Sequence, residues 1–214
     1  MPEKFSLKCT RCDRLAGFLA ELRTKHPEYH NKPVPAFGAA DAALLIVGLA
    51  PGMHGANATG RPFTGDYAGV LLYQTLFDFG FASQPEATAI DDGLELLDCR
   101  ITNAVRCLPP ENKPVGAEIN TCNQFLEQDL ASVPAQGVII ALGGIAHRAV
   151  LRAQGLKLSS VPFGHGAECR LPDGHWLISS YHCSRYNTQT RRLTPTMFAD
   201  IFAQARSRLE QRAA

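Results

Sequence analysis

No run of apolar residues in this chain approaches the length of a membrane span. The first residues, Met1-Pro2-Glu3-Lys4-Phe5-Ser6, form no hydrophobic signal region. Together these absences predict a protein made and kept in the cytoplasm. Internal repeats and low-complexity linkers are also missing, and 214 residues suffice for one well-buried domain rather than two, so residues 1–214 read as a single unit. A large excess of either charge is lacking as well: the net charge is +1. That balance neither points to nor excludes a nucleic-acid partner. Disulfides are not expected, because seven cysteines in a cytoplasmic chain point instead to a metal or cluster, a reactive thiol, or inert burial.

The charge that is present is unevenly spread. Residues 1–140 hold 11 Lys/Arg and 16 Asp/Glu, whereas residues 141–214 hold 10 Lys/Arg, nine of them Arg, and 4 Asp/Glu. Arg suits bidentate phosphate contact. Arg206, Arg208 and Arg212 read as a solvated face of a C-terminal helix, while Arg185, Arg191 and Arg192, close to His182, read as phosphate contacts.

The most informative stretch is Gly48-Leu49-Ala50-Pro51-Gly52-Met53-His54-Gly55, running on to Thr59-Gly60-Arg61-Pro62-Phe63-Thr64-Gly65-Asp66. It follows Ala43-Leu44-Leu45-Ile46-Val47, an apolar run expected to form a buried strand. A strand that empties into a long Gly- and Pro-rich loop is where α/β proteins place ligands. The loop lacks the glycine spacing and Lys of a phosphate-cradling P-loop, which weakens a nucleotide-binding reading.

Strands and helices alternate beyond it. The spacing predicts a helix over Tyr67–Phe79 stopped by Gly80, a strand around Ile101, a helix over Gly116–Leu130, a strand over Gly137–Leu142, and a helix opened by Gly143-Gly144. A hairpin follows, turning at Pro172-Asp173-Gly174, and a last helix begins at Thr194-Pro195. Cys9 and Cys12 form a Cys-x-x-Cys pair, and Cys107 and Cys122 bracket a proline-containing loop. Such a set can make a four-sulfur site for zinc or for a four-iron cluster, and spacing alone does not choose between them. Cys99, Cys169 and Cys183 read as small buried hydrophobes.

Four segments in order carry a resemblance: Gly48-Leu49-Ala50-Pro51-Gly52, Thr59 to Asp66, Thr102-Asn103-Ala104-Val105-Arg106-Cys107 with Leu108 to Pro114, and His182-Cys183-Ser184-Arg185-Tyr186-Asn187-Thr188. With the four cysteines they resemble the uracil-DNA glycosylase superfamily, and within it family 5, over nearly the whole chain. The resemblance implies a single α/β domain with a four-stranded parallel central sheet flanked by helices. It also implies a [4Fe-4S] cluster on Cys9, Cys12, Cys107 and Cys122, and hydrolytic removal of uracil, with hypoxanthine and xanthine as further substrates. The partner implied is double-stranded DNA carrying deaminated bases, with single-stranded DNA left open; a monomer is expected, since flipping enzymes can act as monomers and nothing in the sequence demands otherwise.

On this reading the target nucleotide is flipped out of the duplex. Phe63 stacks on its ring, Asn103 reads its polar edge, and His182 donates to the oxygen where charge develops on the leaving base. Ala50, Gly52 and His54 border the base. The first segment has Leu49 and Ala50 where many superfamily members have a carboxylate or Asn, so Asn57 or Asp66, with loop backbone, is expected to place the attacking water. Cys183 stands where the family commonly has Pro. Ser184, Arg185, Tyr186, Asn187 and Arg191 are expected on the DNA. The recognised segments hold one Lys, Lys113, which is assigned no part in the chemistry, so no Schiff base and no strand cleavage is expected. The competing reading is a non-catalytic, cluster-stabilised DNA-binding protein.

Overall fold

The computed structural model describes residues 4–213. Met1, Pro2, Glu3 and Ala214, which the single-unit and N-terminal expectations include, lie outside the described residues. Five strands form one sheet: β1 (Leu44–Gly48), β2 (Cys99–Asn103), β3 (Val138–Leu142), β4 (Glu168–Arg170) and β5 (Trp176–Ser180). Their order is β2-β1-β3-β5-β4. The first four neighbours run parallel, and β4 pairs antiparallel with β5 at the edge. The expected four-stranded parallel sheet is present, and the hairpin adds the fifth strand. Gly174, at φ +89°, turns that hairpin and donates to Leu171 O.

β1 and β3 are apolar at every position because helices cover both faces of the sheet. Leu44 and Ile46 pack with Leu72 and Leu76 of α3 (Tyr67–Asp78) and with Phe198 and Phe202 of α7 (Pro195–Ala213). Leu45 and Val47 face the other way, onto Leu126 and Leu130 of α4 (Gly116–Ser132) and Ala146 and Val150 of α5 (Gly144–Ala153). Alternation of side chains along a strand makes this two-sided burial possible. A smaller core joins α1 (Asp13–Lys25) to α4 through Leu15, Val105, Cys122 and Phe125.

The expected caps are in place. Thr194 Oγ1 accepts from Met197 N–H at 3.2 Å ahead of α7, and Gly80, at φ +70°, ends the turn after α3. Arg206 and Arg208 differ from expectation. Arg206 lies 3.9 Å over the Phe81 ring and donates to Phe79 O. Arg208 lies 4.0 Å over Trp176 and pairs with Glu168. These guanidiniums stack on aromatic faces and do not form a solvated stripe. Among the described residues no helix is long and apolar enough to cross a membrane.

The chain runs from β1 outward to β2 and then returns past β1 to β3. The order therefore reverses between β1 and β3, and a crevice opens there beyond their C-terminal ends.

Candidate functional site

A cavity of about 420 Å³ occupies this crevice, bordered by the loops after β1, β2, β3 and β5. The loop after β1, which includes the short α2 (Ala56–Thr59), is held rigidly. Arg61 is buried and grips Asp92 at 2.9 and 2.6 Å, while its Nε donates to Thr64 Oγ1 at 2.8 Å. Burial alone would raise the Asp92 carboxyl, yet Arg61 and the N–H groups of Leu94, Thr88 and Ala89 hold it well below the usual carboxylate range. Tyr73 Oη donates to Pro62 O at 2.7 Å. Clamped in this way, Phe63 adopts φ +54°, a left-handed conformation that bulky residues seldom take. Its ring forms part of the cavity wall.

Gly48 ends β1 where nothing larger fits, since a Cβ there would stand 2.3 Å from Asn103 Oδ1 and 2.8 Å from the Phe63 ring. Asn103, the last residue of β2, is 3% exposed, and its Oδ1 has no hydrogen-bond partner among the described residues. A buried acceptor without a donor is costly and marks a place for one.

Across the cavity, the His182 ring stacks on Phe63 with centroids 5.9 Å apart. Its carbonyl is fixed by Asn187 Nδ2 at 2.8 Å. Loss of hydration pushes the imidazole down to about 4, so the ring is neutral at pH 7 and keeps one N–H to donate. Asp66 also lines the cavity and caps α3, its Oδ1 accepting from Gly69 N–H at 2.8 Å. Burial raises its carboxyl above the ordinary value, against the pull of the Gly69 and Ala68 N–H groups.

Of the residues expected at the site, Ala50, Gly52, Phe63, Asp66, Asn103, His182 and Ser184 line this one cavity. Others lie elsewhere. Asn57 is fully buried and donates through Nδ2 to Asn31 Oδ1 at 2.8 Å, so it clips the loop to the N-terminal segment. His54 bonds to Tyr29 Oη at 2.9 Å away from the cavity. Ser184 caps the short α6 (Arg185–Gln189). Arg185 lies 5.0 Å over the Tyr67 ring, and Tyr186 is 70% exposed. Asn187 faces inward onto His182, and Arg191 is exposed at φ +56°. The sequence reading missed Asn112 and the Leu142–Ile145 segment, both on the cavity wall. The Gly143-Gly144 pair directly after an apolar strand was the available signal for the second.

Cys9, Cys12, Cys107 and Cys122 line a second cavity with Phe5, Leu15 and Phe125. Burial and the neighbouring thiols raise Cys107, and burial foremost pushes Cys122 up to about 11. Arg106 N–H donates to Cys122 Sγ at 3.3 Å. Among the described residues no group of three or more His, Cys, Asp or Glu is placed to hold a metal ion. Cys99 and Cys183 are buried as expected, and Cys169 is half-buried.

Residues 35–206 match the model of the uracil DNA glycosylase superfamily. A type-5 uracil-DNA glycosylase of Thermus thermophilus is 45% identical over 203 residues, covering 92% of each chain. Its namesake from Mycobacterium leprae is 42% identical over 206 residues, covering 92% of this chain and 90% of that one. Another, from Pyrobaculum aerophilum, is 37% identical and covers 93% and 88%.

Proposed function

Since the chain belongs to the uracil DNA glycosylase superfamily, we propose that its cavity receives a uracil flipped out of DNA and that the residues lining it hydrolyse the N-glycosidic bond. The protein is a DNA glycosylase of the type-5 kind, serving DNA repair. The observation that carries the residue assignments is the unpartnered Asn103 Oδ1 on one side of the cavity, with a neutral His182 on the other.

Asn103 Oδ1 accepts from uracil N3–H while its Nδ2 donates to O4. Phe63 offers its face to the ring. As the bond between C1′ and N1 breaks, its electron pair moves into the base, and the His182 N–H stabilises the charge at O2. Water adds to C1′ and gives its proton to Asp66, whose burial makes the carboxylate a better base. The alternative for this role, Asn57, lies bound to Asn31 outside the cavity.

The cysteine site fits a [4Fe-4S] cluster through its donor set, four thiols on one cavity. Cys9, Cys12, Cys107 and Cys122 would hold it. When bound it supplies a structural tie between the N-terminal segment and the loop after β2. Residues 1–214 then act as one domain, as a monomer in the cytoplasm, on double-stranded DNA. Ser184, Arg185, Tyr186 and Arg191 are offered to the duplex, and Asn187 positions His182.

The test is a duplex with one uracil, incubated with the protein in EDTA and then treated with alkali. Strand breaks that need the alkali step establish base removal without strand cleavage. Their absence with uracil, hypoxanthine and xanthine alike would favour a protein that holds DNA without acting on it.

Two further results are expected. His182 stays neutral from pH 8 down to about 4, so the acid limb of kcat follows protonation of Asp66 and lies above the ordinary Asp value. In Asp66→Asn that limb disappears, and the residual rate stays flat until His182 protonates. A pH–rate profile of both proteins checks this. Gly48→Ala, which drives a methyl group into Asn103 and Phe63, is expected to lower kcat/KM by about a hundredfold through misplacement of the cavity wall. Circular dichroism should remain that of a folded protein.

A further inference from the structure

On its outer side β5 pairs with the segment that leads into β4. Gly166 N–H donates to Ser179 O at 2.8 Å, and Ser179 N–H donates to Ala167 O at 2.9 Å. In an antiparallel ladder the next donor on that side stands two residues on, at Tyr181. The backbone supplies no acceptor for it, because Gly166, at φ +76°, bends the segment out of the ladder. A side chain takes over: Tyr181 N–H donates to His165 Nδ1 at 3.2 Å. Ser180 Oγ lies 3.4 Å from the same nitrogen.

Several elements support this contact. The His165 ring stacks on the Tyr181 ring, with centroids 5.1 Å apart and planes 18° from parallel. The Arg192 guanidinium lies 4.5 Å over the Tyr181 ring. The loop that carries His165 is anchored from α5, since His147 bonds to Ser179 Oγ at 2.8 Å and to Val161 O at 2.9 Å. Burial lowers His165 below its ordinary value, against the Met197 backbone and Asp200 of α7. Near pH 8 the ring is therefore neutral, with its proton on Nε2 and Nδ1 able to accept.

Tyr181 directly precedes His182, so His165 grips the chain one residue ahead of the imidazole that faces the base. Asn187 fixes the carbonyl behind it. A donor to a developing charge is effective when its geometry is set in advance. His165 does not line the cavity, so its effect reaches the base through His182.

Resting on the reading of His182 as the donor to the leaving base, we propose that His165 is a positioning residue for uracil removal, its Nδ1 holding the Tyr181 peptide and thereby the pose of His182.

The test uses the full-length protein with its cysteine site loaded, at pH 8, and reads single-turnover rates at saturating protein beside affinity for the duplex. His165→Phe keeps an aromatic ring against Tyr181 and removes the acceptor. It should slow uracil removal by about ten- to a hundredfold through misplacement of the donor, with duplex affinity unchanged. His165→Asn, whose Oδ1 stands close to the place of Nδ1, should recover most of the rate. In a His182→Ala background, His165→Phe should slow the residual rate no further, because residues that act as a unit do not add. His165→Leu takes the place of His165→Phe if the Phe variant lacks the circular dichroism of the folded protein.

If the unaltered protein removes no uracil, or His182→Ala removes it at full rate, the reading of the cavity fails. If His182 counts and His165→Phe keeps the full rate, this inference fails alone. It fails too if His165→Asn is as slow as His165→Phe, or if the loss lies in affinity. Equal slowing by His165→Phe with and without His182 overturns it as well, since that marks a general loss of structure.

Discussion

His182→Ala is expected to lower kcat for uracil removal by about a hundred- to a thousandfold, the usual cost of deleting one donor to a developing oxyanion. The affinity for DNA should change little, because the ring contributes most once the leaving base carries charge. Single-turnover rates at saturating protein, compared with binding of a duplex, separate the two quantities. The same variant has a stability signature. In the folded protein His182 titrates near 4, and in the unfolded chain near 6.5. Between these values the unfolded state binds more protons, so stability is lost as pH falls. Without the imidazole that contribution vanishes, and the Tm of His182→Ala should decline less between pH 6.5 and 4. A variant with undiminished kcat would remove His182 from the chemistry.

Asp129→Ala should destabilise the protein by about 3–5 kcal/mol, which is the cost of breaking a buried ion pair from one side. Asp129, on α4, accepts from Thr102 Oγ1 at 2.8 Å and from Arg106, with Arg100 Nη2 at 3.5 Å. Burial lowers Arg106 while Asp129 supports its charge. Removing the carboxylate leaves the buried Arg106 and the half-buried Arg100 without their shared anion. For a chain of this size the loss corresponds to a fall in Tm of roughly 6–20 °C. Scanning calorimetry checks the figure. Replacing Arg106 and Asp129 together by apolar residues should cost less than Asp129→Ala alone, since no uncompensated charge remains.

The parts of this protein that were legible in its sequence are those set by local pattern. β1 and β3 are readable because two-sided burial demands unbroken apolar runs, and the hairpin because Pro172-Asp173-Gly174 leaves the chain no straight course. Phe63, Asp66, Asn103 and His182 lie at the ends of readable strands or in the loops just after them, and they converge on one cavity. The residues that went elsewhere were decided by partners far away in the chain. Asn57 was captured by Asn31 and His54 by Tyr29. Nothing in their immediate neighbours announces those contacts. Asn112 was missed for the opposite reason: its place depends on a left-handed turn held by Arg14, nearly a hundred residues earlier.

The stacking of Arg206 on Phe81 and of Arg208 on Trp176 bears on how the protein searches. Each phosphate that a protein neutralises on duplex DNA releases about 0.9 of a counterion. With these guanidiniums committed to aromatic rings, Arg206 and Arg208 should contribute little to that release, and the salt dependence of duplex binding should rest on other cations, the exposed Arg191 among them.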